Sequence, residues 1–156
     1  MPEFRDTEGR AWRVEINVTT LKRVKVDLGL DLGDEAVAGT LYAKLVNDPI
    51  LLCDLLYVVC RDQAEEREIG DEAFGRGLGG VCLDNATAAL IEALVNFTPS
   101  PQRRRRLEVA IRKTETLMEL ADQDIVSKLE GDGLEQEMRK RLASFNSVTS
   151  SGESSD

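Results

Sequence analysis

The stretch from Asn47 to Cys60 constrains this chain most. Asn47-Asp48-Pro49 marks a sharp boundary: Asp48 can cap a helix, and Pro49 suits the first helical position, where no backbone N–H is needed. Leu52, Leu55, Leu56, Val59 and Cys60 then form a wide apolar face, which Leu51, Cys53 and Val58 widen further. A helix apolar on most of its circumference is a buried helix, so the rest of the chain has to wrap it. Asp54 interrupts the run, which is also too short to span a bilayer. The helix is expected to continue to about Glu68 through a polar second half, with Gly70 as its stop.

Before this centre, Glu3–Arg5 and Arg10–Asn17 flank Asp6-Thr7-Glu8-Gly9, whose end residues suit a tight turn. Trp12, Val14 and Ile16 alternate with Arg13 and Glu15, the period of a strand with one buried face. A short β-hairpin follows from that pattern. Thr19 or Thr20 is expected to cap a first helix carrying Leu21, Val24 and Leu28. Asp34 should cap a second, with Val37, Leu41 and Leu45 on one side. After the central helix, Asp71 should cap a short helix containing Phe74 and Leu78. Gly79-Gly80 breaks the chain again. Leu83 to Phe97 reads as a helix with Ala86, Ala89, Leu90, Ala93, Leu94 and Phe97 as its stripe.

Thr98-Pro99-Ser100-Pro101 is a rigid, non-helical joint. A long polar helix is expected from about Gln102 to Glu130, with Leu107, Ile111, Thr114, Met118, Ala121 and Ile125 in a narrow heptad-like seam. After Gly131-Asp132-Gly133, the residues Leu134, Met138, Leu142 and Phe145 make a second amphipathic stripe. From Asn146 the polar, Ser-rich composition predicts a disordered tail. The expected fold is mainly α: a short N-terminal β-hairpin, a helical bundle and a long C-terminal helical arm. Its expected divisions are a hairpin-plus-bundle over 1–98, a Pro-hinged arm over 99–145 and a tail over 146–156.

Composition narrows the functional classes. The chain is 42% hydrophobic and 31% charged, enough for a core and for solubility. Aromatics are only 4%, which argues against a base-stacking surface. A formal net charge of -9 repels phosphate backbones and anionic membranes. Three cysteines without paired spacing point to reduced thiols and a cytoplasmic setting. The polar N-terminus is unlike a signal peptide.

There is no histidine, which removes the commonest general base and zinc ligand. Neither catalytic, metal nor cofactor residues are therefore assigned, and binding rather than catalysis is expected. Cys53, Cys60 and Cys82 match no zinc spacing and read as small buried hydrophobes. The glycines from Gly75 to Gly80 lack the preceding strand and the following Gly-Lys of a phosphate loop, and read as helix punctuation. Asp27 with Asp31, and Asp122 with Asp124, read as solvated faces. The sharpest local feature is Arg103, Arg104, Arg105 and Arg106 at the start of a helix, where cations oppose the macrodipole. A partner with an acidic surface, phosphate, or the chain's own acidic body would each answer it. Ile111, Met118 and Ile125, with Leu134, Met138, Leu142 and Phe145, either fold back onto the bundle or offer a face to a partner helix.

The order of features is also a resemblance. Phe4-Arg5-Asp6-Thr7-Glu8-Gly9-Arg10-Ala11-Trp12-Arg13-Val14 is followed by Leu21-Lys22-Arg23-Val24 and by Asn47-Asp48-Pro49. Leu55-Leu56-Tyr57-Val58-Val59-Cys60, Asp71-Glu72-Ala73-Phe74-Gly75 and Ala93-Leu94-Val95-Asn96-Phe97 come after. This resembles the tail assembly chaperones of long-tailed bacteriophages and prophages, over roughly Phe4 to Arg106. The resemblance implies a protein of the host-cell cytoplasm. It would bind the tape-measure protein, a very long helical chain, and keep it soluble while tail-tube subunits assemble. The family supplies packing and capping motifs but no invariant site. A structural head–tail connector and a small nucleic-acid-binding regulator are the alternatives.

Overall fold

A computed structural model describes residues 1–153, and the side chains of all these except 132, 134 and 146–153. Its order is β1 (Glu3–Arg5), β2 (Ala11–Arg13), α1 (Val18–Leu28), α2 (Glu35–Asn47), α3 (Pro49–Val59), α4 (Arg61–Glu66), α5 (Asp71–Arg76), α6 (Val81–Phe97), α7 (Pro101–Glu130) and α8 (Asp132–Glu153). The fold is mainly α with a short N-terminal hairpin, as the patterning requires.

The hairpin is antiparallel, with Phe4 opposite Trp12. Phe4, Trp12, Val14 and Ile16 are buried, so the period-2 face meets the core although β2 itself ends at Arg13. Helix α1 is capped by Asn17, two to three residues before the expected threonines. Thr20 instead completes the capping box: its amide donates to Asn17 Oδ1 at 2.9 Å, and its hydroxyl oxygen accepts from the Asn17 amide at 2.8 Å. Asp34 caps α2, and Asp48 with Pro49 starts α3, as expected.

The central helix is divided. Cys60 leaves ideal helical geometry, but the amide of Ala64 still donates to its carbonyl at 3.0 Å, so the chain bends here and continues as α4. The stop comes before Gly70. Glu68 takes a positive φ of 56°. The amides of Glu68 and Ile69 reach back to the carbonyls of Glu65 and Ala64, the hydrogen-bond pair of a Schellman end. Gly70, not Asp71, flanks the start of α5, and no side chain caps it.

Two units are described separately, Met1–Glu115 and Thr116–Asp156. The division falls inside α7, not at the Pro joint. Leu107 and Ile111 are buried among the core residues of the first unit, so the opening turns of α7 belong with the bundle. In that unit α3 is the hub: α1, α2, α4, α5 and α6 pack on it, while β1 packs on α6. In the second unit, α8 continues through Glu153, so most of the stretch expected to be a disordered tail, residues 146–153, is helical instead. Residues 154–156 lie outside the described residues.

Candidate partner-binding surface

The first unit closes on itself around an anionic centre at the hairpin turn. The Asp6 side chain is 1% exposed. Its carboxylate accepts from the amides of Glu8 (3.0 Å) and Arg10 (2.9 Å), from Arg10 Nε (2.7 Å) and from the Trp12 indole N–H (2.9 Å). Burial pushes the Asp6 carboxyl up, but the indole, guanidinium and amide donors and the Arg10 charge outweigh it and hold its pKa below the usual value. The guanidinium of Arg67 lies 4.6 Å from the Trp12 ring centroid, and Phe74 meets the ring edge-on at 4.9 Å. Thr7 N–H donates to the Gly77 carbonyl at 2.8 Å, tying the turn to the end of α5. A Cβ on Gly77 would stand 2.8 Å from Arg10 Nη2 and 3.0 Å from Asp6 Oδ2, so a side chain here would have to displace the end of the Arg10 side chain from its place on Asp6. With four donors on Asp6, no lone pair is left to act as a general base.

The thiols are packing groups. Cys60 is buried, its Sγ 3.5 Å from the Arg13 carbonyl, and burial pushes its pKa up to about 12. Cys53 and Cys82 are also free thiols, each shifted upward by burial. Among the described residues no group of His, Cys, Asp or Glu is arranged to hold a metal. No helix of the described residues is long and apolar enough to cross a membrane. Asp27, expected on a solvated face, pairs with Arg61 and links α1 to α4.

The arginine run divides into two roles. Arg106 holds Glu35 with two bonds, Nε to Oε1 at 2.5 Å and Nη2 to Oε2 at 3.2 Å. That contact lowers the Glu35 pKa and raises that of Arg106. Arg104 donates to the Thr98 carbonyl at 3.2 Å across the Pro joint. These two fasten the start of α7 to the bundle. A hypothetical Cβ on Gly39 would lie 3.7 Å from the Ala110 Cβ, so α2 and α7 approach closely at small residues. Arg103 lines a cavity of about 100 Å³ with Leu32, Leu94, Phe97 and Leu107. Arg105 is exposed and makes no ion pair among the described residues.

The seam residues separate in the same way. Ile111 is 7% exposed and packed in the core, so it is spent on the chain's own fold. Met118 is half-buried, and Ile125 is 53% exposed. Met138 and Leu142 are exposed on α8, and Phe145 is 70% exposed. The side chain of Leu134 lies outside the described residues. Leu117, Leu120, Val126 and Leu129 are exposed as well, and the heptad reading missed them. Leu117 and Leu120 fall between seam positions; their signal was a second apolar stripe in a helix otherwise rich in charge.

No protein-family model, curated protein or solved structure matches the chain.

Proposed function

We propose that this chain binds a long helical protein partner through the apolar faces of its C-terminal helices, in the manner of a phage tail assembly chaperone holding a tape-measure protein. One observation carries the reading: Ile125, Leu129, Met138, Leu142 and Phe145 are large, apolar and about half or more exposed. Within each helix such side chains, spaced three or four apart, are what a groove-and-helix contact uses, and exposed apolar stripes of this kind mark interaction surfaces. Methionine adds adaptability to the contact. The mechanism is mass action: covering the partner's apolar helix faces lowers the free concentration of its aggregation-prone form. The acidic character of the chain keeps the complex dispersed, and tail-tube subunits release the partner by competing for its surface. Binding rather than catalysis is further supported by the sequence's lack of histidine and by the fully engaged Asp6 carboxylate.

The test is co-expression with the longest helical protein encoded beside it, read as partner solubility and co-purification. The full chain is expected to solubilise and retain that protein. A chain carrying Ile125→Ser, Met138→Ser and Leu142→Ser should lose it while keeping its own melting temperature. A partner that stays insoluble with the native chain, or is retained equally by the triple variant, sinks the reading. Deletion from Pro99 onward is the wrong control, because it also strips Leu107 and Ile111 from the core.

A further inference from the structure

Helix α7 is charged against its own stability. Residues 101–113 carry six cationic side chains and one anionic, whereas residues 114–130 carry five anionic and one cationic. Cations at a helix N-terminus and anions at its C-terminus both oppose the macrodipole, and like charges one turn apart repel. Part of this is relieved within the chain. Arg106 is matched by Glu35 and Asp124 by Lys128 (3.0 Å). Arg105, Lys113, Glu119 and Asp122 have no ion-pair partner among the described residues.

The cationic half also carries a shaped surface. An open groove is lined by Gln102, Arg105, Arg106, Val109, Ala110 and Lys113, an apolar floor between basic walls. Val109 is partly exposed on that floor. The anionic half supplies the opposite relief. Leu117 and Leu120 stand out as exposed apolar side chains, flanked by Glu119, Asp122 and Asp124. Groove and ridge are therefore complementary in charge and in polarity. Both stretches belong to α7, the groove to its first half and the ridge to its second.

We infer that the groove at Val109 and Ala110 receives the Leu117–Asp124 ridge of a second copy of this chain, so that two α7 helices pair antiparallel. Parallel pairing would set the basic halves against each other. Antiparallel pairing sets each basic half on an acidic one, and a two-fold axis lets both grooves fill at once and closes the contact. Aligning Val109 with Leu120 of the second copy brings Arg105 level with its Asp124. Lys113 then comes within a turn of Glu119 of the second copy. The contact uses Val109, Leu117 and Leu120, none of which belongs to the stripe assigned above to the helical partner. It stands or falls apart from that assignment.

The test is sedimentation equilibrium of the full chain at low and high salt, with two charge-reversal variants. One is Arg105→Glu with Lys113→Glu; the other is Glu119→Lys with Asp124→Lys. All four residues are exposed, and circular dichroism checks that both variants fold. The native chain is expected to dimerise at low salt and to weaken at high salt, as the screening length falls from about 10 Å at 0.1 M to about 3 Å at 1 M. Each variant alone should dimerise about tenfold or more weakly. An equimolar mixture should recover a one-to-one pair, because its opposed surfaces match again. A native chain that is monomeric at low salt overturns the inference. So does a dimer indifferent to both reversals, or a mixture that fails to pair. If the first variant stays as dimeric as the native chain but loses the helical partner, the groove serves that partner and the inference is equally overturned.

Discussion

The hairpin and the C-terminal helices put their large apolar side chains to opposite uses. Around the hairpin, Phe4, Trp12, Val14 and Phe74 are buried, and the buried Asp6 carboxylate accepts four hydrogen bonds. From Thr116 onward, residues of the same hydrophobic class stand in solvent, and the helices carrying them are held by their backbone bonds and local charge pairs such as Lys128–Asp124 and Arg141–Glu137. The first region spends its apolar surface on its own stability. The second leaves that surface exposed, so its side chains can be changed at little cost to the fold.

The strongest way to break the contrast is Trp12→Ala. It removes a fully buried ring and leaves Asp6 without its indole donor, and should cost about 3–5 kcal/mol in a urea melt of the first unit. Gly77→Ala comes next. Its Cβ would crowd Arg10 Nη2 at 2.8 Å and Asp6 Oδ2 at 3.0 Å, and a loss of about 1–3 kcal/mol is expected by the same measurement. The acid limb of stability should follow Asp6. Its folded pKa is depressed, so its contribution is present above the unfolded value of about 4 and is lost as pH falls through the folded value. Asp6→Asn should therefore flatten the decline below about pH 4. Glu68→Gly relieves a left-handed residue at the end of α4 and should raise stability by about 0.5–1 kcal/mol, an effect that a melting shift resolves. Smallest in stability are Leu142→Ser and Ile125→Ser, each within about 0.5 kcal/mol, because these side chains are already exposed. A loss as large as that of Trp12→Ala at either site would show that the second region has a core of its own, and would erase the contrast.

The hairpin, the Asp48-Pro49 start and the stripe of α6 were legible in the sequence because each depends on local periodicity or capping chemistry. What escaped depended on partners distant in sequence or on backbone geometry. Asp6 looked like an ordinary turn residue, yet its fourth donor comes from Trp12 on the facing strand. Gly77 looked like punctuation, yet its role is set by Arg10, far away in sequence. Glycine is the usual left-handed residue, so the sequence points to Gly70 as the end of α4, whereas Glu68 takes that conformation and the Schellman bonds hold it there. The four arginines looked alike in sequence. Glu35 and the Thr98 carbonyl separate Arg106 and Arg104 from Arg105, which makes no such contact among the described residues.

The tie between Thr7 and Gly77, and the packing of β1 on α6, also set the order in which this fold can be completed during synthesis. The hairpin leaves the ribosome before α6, its cover, which is among the last parts of the bundle to follow. At about 5–20 residues per second, the ninety-odd residues from Phe4 to Phe97 take roughly 5–20 s to make. Once made, Trp12 and the leucines of α3 have no final seat until α6 follows. The nascent bundle thus carries exposed apolar side chains until α6 is complete.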